Sequence, residues 1–150
     1  MATKASSRSS SGDRLRGLSL LQRSHTPAPA GPDQAALEVF TNLYADRDYE
    51  ITFDCPEFTS VCPVTGQPDF GRIVIRYVPD RTCVESKSLK LFLFAFRNHP
   101  TFHEEAVNRI LDELVKACRP RRAEVIGEFR PRGGIALTVK AEYRSKGKGR

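Results

Sequence analysis

Between residues 49 and 141 the chain switches between two hydrophobic periods, and each switch marks a boundary between elements. Tyr49, Ile51 and Phe53 alternate with Glu50, Thr52 and Asp54, the period-two pattern of a half-buried strand. Ile73, Ile75 and Tyr77 alternate with Arg72 and Arg76 in the same way. Between them, CPEFTSVCPVTGQPD holds three prolines and a glycine, which predicts an irregular surface loop over 55–69. From Ser86 to Arg97 the Leu-, Phe- and Lys-rich run predicts a helix that stops before Pro100.

A second helix is predicted after it. Thr101 and Glu104 have capping-box spacing, Phe102, Ala106, Ile110, Leu114 and Ala117 supply an apolar face, and Pro120 closes the helix. Ala123–Phe129 and Ile135–Ala141 then read as two strands joined by a hairpin turn at Arg130-Pro131-Arg132-Gly133-Gly134. The order strand, strand, helix, helix, strand, strand predicts an α+β fold with an antiparallel sheet. Two helices cover one face of such a sheet and leave both edges open to pairing, which predicts a homo-oligomer.

Length and composition set the frame around these elements. At 150 residues the chain holds one domain, expected over 34–143, with a flexible N-terminal extension at 1–33 and a basic tail at 144–150. The net charge of +6 suggests nucleic acid until it is divided: +3 lies in 1–33, +4 in 140–150, and the body is at −1. Direct nucleic-acid binding is therefore not expected of the domain. No apolar run approaches the ~20 residues that span a bilayer. Four cysteines without a secretory leader or disulfide spacing point to a reducing cytoplasm. The Ser- and Arg-rich start has the composition of a transit peptide, but a disordered bacterial N-terminus is the favoured reading.

Several residues carry candidate chemistry. Cys62, in the proline-rich segment with Asp69 seven residues on, has the makings of a nucleophile and its proton donor, or of a small packed hydrophobe in a turn. Cys55, Cys62, His99 and His103 are zinc-type ligands, but their spacing is not that of a compact zinc motif and Pro100 separates the histidines. Glu85-Ser86-Lys87-Ser88 opens the first helix with hydroxyls and amides suited to an anion, and Arg130–Gly134 offers a second phosphate-seeking turn. No P-loop or G-x-G-x-x-G occurs, so a nicotinamide cofactor would bind outside a Rossmann fold. Glu104 and Glu105 either cap the second helix or, in a pocket, grip the edge of a guanine-like ring.

FDCPEFTSVCPVTGQPDF, CVESKSLKLFLFAFRNH, FHEEAVNRIL and EFRPRGGI, in this order, closely resemble the NADPH-dependent 7-cyano-7-deazaguanine reductases of the short, single-module type over about 49–143. LRGLSLLQ is similar to the segment preceding the domain in that family, which weakens the transit-peptide reading. The resemblance implies the tunnelling fold, in which ββααββ subunits assemble into a barrel with active sites between subunits. It implies reduction of the nitrile of 7-cyano-7-deazaguanine to a primary amine by two NADPH, in queuosine tRNA modification. By position, Cys62 would be the nucleophile forming a thioimide and Asp69 the proton donor. Val84, Glu85, Ser86, His103 and Glu104 would hold the base, and Ser86, Lys87, Arg132 and Gly133 would meet NADPH, with no metal. The rivals are another tunnelling-fold enzyme, such as a zinc cyclohydrolase or pterin synthase, and a basic RNA-binding module.

Overall fold

A computed structural model describes residues 11–20 and 27–147; the rest of the N-terminal extension and the last three residues of the tail lie outside the described residues. The elements run α1 (Ser11–Arg14), β1 (Val39–Thr41), β2 (Ile51–Val61), β3 (Pro68–Val78), β4 (Thr82–Val84), α2 (Ser86–Phe94), α3 (His103–Cys118), β5 (Arg122–Arg132) and β6 (Ile135–Arg144). The predicted ββααββ order holds. The four long strands form one antiparallel sheet in the order β2-β3-β5-β6, and the three-residue strands β1 and β4, too short to leave a periodic signal, pair separately.

The segment 55–69 departs from expectation, because most of it is strand. Each proline falls where a strand tolerates one. Pro56 sits in a bulge, where the register jumps from Cys55 to Phe58, Pro68 opens β3, and Pro63 lies in the turn. The loop is thereby reduced to residues 62–67.

Ile73, Ile75 and Tyr77 of β3 and Ala123 and Val125 of β5 face α2 and α3. Against them pack Phe92 and Phe96 and the α3 stripe Ala106, Val107, Ile110, Leu111, Leu114 and Cys118. Burying each large apolar side chain contributes ~1.5–3 kcal/mol, so this layer carries most of the stability. Phe102, expected on the stripe, is exposed instead, because the helix begins one residue later than predicted. Phe102 is the N-cap, and Glu105 rather than Glu104 returns to its backbone N–H at 3.2 Å. The helix ends at Cys118 with Arg119 left-handed (φ 45°), immediately before Pro120.

The opposite face of the sheet is charged. Arg72 bridges Asp54 and Glu128, and Arg76 and Lys140 both meet Glu124. The described part of the extension touches the domain at Ser19 and Leu20. Leu18 is 2% exposed, and the backbone N–H groups of Ser19 and Leu20 donate to Glu38.

Candidate active site

Four elements end at one corner of the sheet. Cys62 follows β2 and opens the turn into β3, while Asp69 is the second residue of β3. The start of α3 is tied to the same corner by a parallel bridge between Val61 and Pro100: Val61 N–H donates to His99 and Thr101 N–H donates to Val61, at 3.2 and 3.0 Å. That bridge sets His103, first residue of α3, beside Asp69. A register shift between Phe129 and Arg132 at the end of β5 turns Arg132 toward the same place.

The turn is built around Cys62. Its N–H donates to Gln67 (2.8 Å), its carbonyl accepts from Gly66 (3.0 Å), and Gly66 takes φ 70°, a value that favours glycine. The Thr65 hydroxyl, the Thr65 and Val64 amides and the Arg132 guanidinium all face the sulfur and bring the thiol down to about 6. Cys62 is therefore mainly thiolate at neutral pH. Burial does the reverse elsewhere, raising the Cys55 thiol and pushing Cys118 up to about 12.

Asp69 is 4% exposed, on the helix-facing side of β3. Arg132 Nη1 donates to its Oδ1 at 2.7 Å. His103 Nε2 lies 3.3 Å from its Oδ2 but is not aligned for a hydrogen bond, and is a buried polar atom with no partner. Ser60 Oγ is another, and Ser60 is the register partner of Asp69, on the same face. Two buried polar atoms without partners thus flank one carboxylate, an arrangement that a polar ligand would satisfy.

The remaining predicted residues are dispersed. Glu104 is exposed next to His103; with capping done by Glu105, no hydrogen bond or ion pair among the described residues engages its carboxylate. Val84, Glu85, Ser86 and Lys87 lie at the start of α2, with the nine residues of the helix, about 13 Å, and then residues 95–99 between them and the Val61–Pro100 bridge. Val84 is buried in the core with its N–H on the Tyr77 hydroxyl. The α2 start is not the open anion site read from the sequence. Glu85 is its N-cap, and the carboxylate accepts from the Lys87 and Ser88 N–H groups at 2.7 and 2.8 Å, filling with negative charge the place a phosphate would take. The β5–β6 hairpin does remain open. Gly133 and Gly134 are left-handed (φ 57° and 79°), and an added Cβ at either would meet nothing within 4 Å.

The zinc alternative finds no support in the placement of its ligands. Cys55 and Cys62 are separated by roughly 23 Å of extended chain, and among the described residues no three His, Cys, Asp or Glu side chains are placed to hold a metal. A groove of about 830 Å³ between β2 and α2 reaches from Ser86 to Pro68, but Cys62, Asp69 and His103 do not line it. The corner around Cys62 and Asp69 is thus separate from that groove. Ser60, beside the carboxylate, was not legible from the sequence beyond its nearness to Cys62, and Arg132 was read there only as a phosphate contact.

Comparison with known proteins identifies relatives over most of the chain. The profile of the family described as QueF-like protein matches residues 68–148. The NADPH-dependent 7-cyano-7-deazaguanine reductase of Neisseria gonorrhoeae is 53% identical over 135 residues, covering 90% of this chain and 86% of its own length. The enzyme of that name from Streptococcus thermophilus is 52% identical over 131 residues, 87% of this chain and 80% of its own. The crystal structure of the archaeosine synthase QueF-Like in the apo form shares the fold, with a TM-score of 0.56 at 21% identity over 63% of this chain and 91% of that one. With relatives this similar over nearly its whole length, the chain belongs to the QueF family, together with the 7-cyano-7-deazaguanine reductases.

Proposed function

We propose that the chain catalyses the NADPH-dependent reduction of the nitrile of 7-cyano-7-deazaguanine to 7-aminomethyl-7-deazaguanine, a step of queuosine tRNA modification. The observation that carries the chemistry is the lowered Cys62 thiol next to a buried Asp69. The thiolate adds to the nitrile carbon: a C–S bond forms, one C–N bonding pair moves to nitrogen, and nitrogen takes a proton, giving a thioimide. Asp69, whose Oδ2 lies 3.3 Å from His103 Nε2, delivers that proton in this reading. NADPH supplies two hydrides in succession, the first expelling the Cys62 thiolate and leaving an imine, the second, with a proton, giving the primary amine.

The other residues bind and orient. Glu104, free of capping, offers a bidentate acceptor for the N–H groups of the pyrimidine edge. Arg132 and Gly133, on the open hairpin, suit a phosphate of NADPH. Val84, Glu85, Ser86 and Lys87 would reach the corner from an adjacent subunit, with Ser86 and Lys87 acting through their side chains. That assembly is supported by the edge strands, since β2 (Ile51, Phe53, Cys55) and β6 (Leu137, Val139, Ala141, Tyr143) carry half-buried apolar side chains at open edges. Val64, Phe70, Phe102 and Ile135 are also exposed, two of them next to site residues in the chain.

The test is to mix the protein with 7-cyano-7-deazaguanine in the absence of NADPH and follow thioimide absorbance and intact mass. One equivalent of base bound covalently at Cys62, absent in Cys62→Ala, is the expected result. Continued NADPH oxidation by Cys62→Ala in the presence of the nitrile would overturn the mechanism, and a requirement for stoichiometric zinc would favour a cyclohydrolase-like reaction.

A further inference from the structure

No hydrogen bond among the described residues reaches His103 Nε2, yet the imidazole stands at the edge of Asp69. What defines its plane is the ring of Phe129. The two rings are 3.8 Å apart between centroids and within 7° of parallel. Phe129 is itself braced by Phe58, whose ring meets it nearly edge-on at 6.3 Å and packs on Phe96 at 5.4 Å.

The strands around Phe129 are cut to admit this ring. Gly71 is its register partner across β3–β5, and a Cβ there would come within 2.9 Å of Phe129 Cδ1. A Cβ on Gly127, two residues before it on the same face, would come within 2.8 Å of Phe129 Cε2. Neither glycine has a positive φ, so the backbone does not require them. Glycine inside a strand weakens it, and the local gain visible in the structure is room for the aromatic ring, together with the Glu128 carbonyl oxygen 2.9 Å from a Cβ at Gly71 and Val107 Cγ2 2.5 Å from one at Gly127. We propose that Phe129, seated on Gly71 and Gly127, is a positioning residue that holds the His103 imidazole in plane against Asp69 for the proton step of nitrile addition.

The proposal rests on the reading of His103 as a site residue, and the experiment separates the two. Thioimide formation without NADPH is timed by stopped flow for wild type, Phe129→Leu, His103→Ala and the double variant, over a range of base concentrations. Thermal melting checks each fold, and Phe129→Met substitutes should Phe129→Leu not fold. Loss of alignment predicts that Phe129→Leu slows adduct formation about tenfold, within the range a small misplacement costs, while base affinity changes less than about threefold. In the His103→Ala background the same substitution has no further effect, because two residues acting through one step are not additive. A slowing by Phe129→Leu that is equally large with and without His103, or no slowing at all, overturns the positioning role and leaves His103 in place. Wild-type adduct formation by His103→Ala overturns the site assignment of His103, and the proposal with it.

Discussion

Arg132 donates to Asp69 at 2.7 Å and turns the same guanidinium to the sulfur of Cys62, so one cation on β5 ties the thiol to the carboxylate. The sequence places this arginine on a phosphate; the structure adds a second task. Its positive charge favours the thiolate, and removing it moves the Cys62 thiol upward. Arg132→Gln is therefore expected to slow thioimide formation severalfold at pH 6 and less at pH 8, where deprotonation no longer depends on the cation. Stopped-flow rates at the two pH values check this, and equal losses at both would assign Arg132 to cofactor binding alone.

Selective alkylation tests the electrostatics without substrate. Cys62 is held near 6 chiefly by the Thr65 hydroxyl, while Cys55 and Cys118 are raised by burial. The reactive fraction of Cys62 is present above its lowered value and lost as pH falls through it. Iodoacetamide at pH 7 is thus expected to label Cys62 ahead of Cys55 and Cys118, with the rate falling through a midpoint near 6. Thr65→Val removes the first donor and shifts that midpoint upward, as peptide mass mapping against pH would record.

Asp69→Asn keeps the shape of the side chain and its contact with Arg132 but removes the carboxyl group proposed to deliver the proton. Adduct formation and turnover are expected to fall by 10²–10⁴, the usual contribution of general acid catalysis, with base binding reduced much less. Single-turnover kinetics beside equilibrium binding of the base distinguish the two effects.

The strands and helices were legible because their periods are local, and each of the four long strands retains an alternating core. The proline-rich segment was misread because a proline is informative only with its ladder position, and that depends on the partner strand: Pro56 is harmless solely because the register slips there. The site divides in the same way. Cys62 and Asp69 lie close in sequence on one turn and could be paired from it. Arg132 is 63 residues from Asp69, and its approach follows from a bulge that no periodicity encodes. Glu104 and Glu105 are adjacent, and a one-residue shift in the helix start decides which caps and which stays free.

Gly127 gives the most direct test of how tightly the corner is built. Its added Cβ would come 2.5 Å from Val107 Cγ2 and 2.8 Å from Phe129 Cε2, contacts that force α3 or the Phe129 ring to move. Val107 is fully buried on α3, in the same helix that presents His103, so relief by moving the helix disturbs the site as surely as relief by moving the ring. Gly127→Ala is expected to destabilise the fold by about 1–3 kcal/mol, the usual cost of overpacking. For a domain of this size that lowers Tm by roughly 5 °C or more. Gly133→Ala sits in open space but at φ 57°, so its cost is backbone strain alone, and its melting temperature should fall less. Calorimetry on the pair checks the ordering, because only crowding against Phe129 and Val107 makes the strand glycine the more costly of the two.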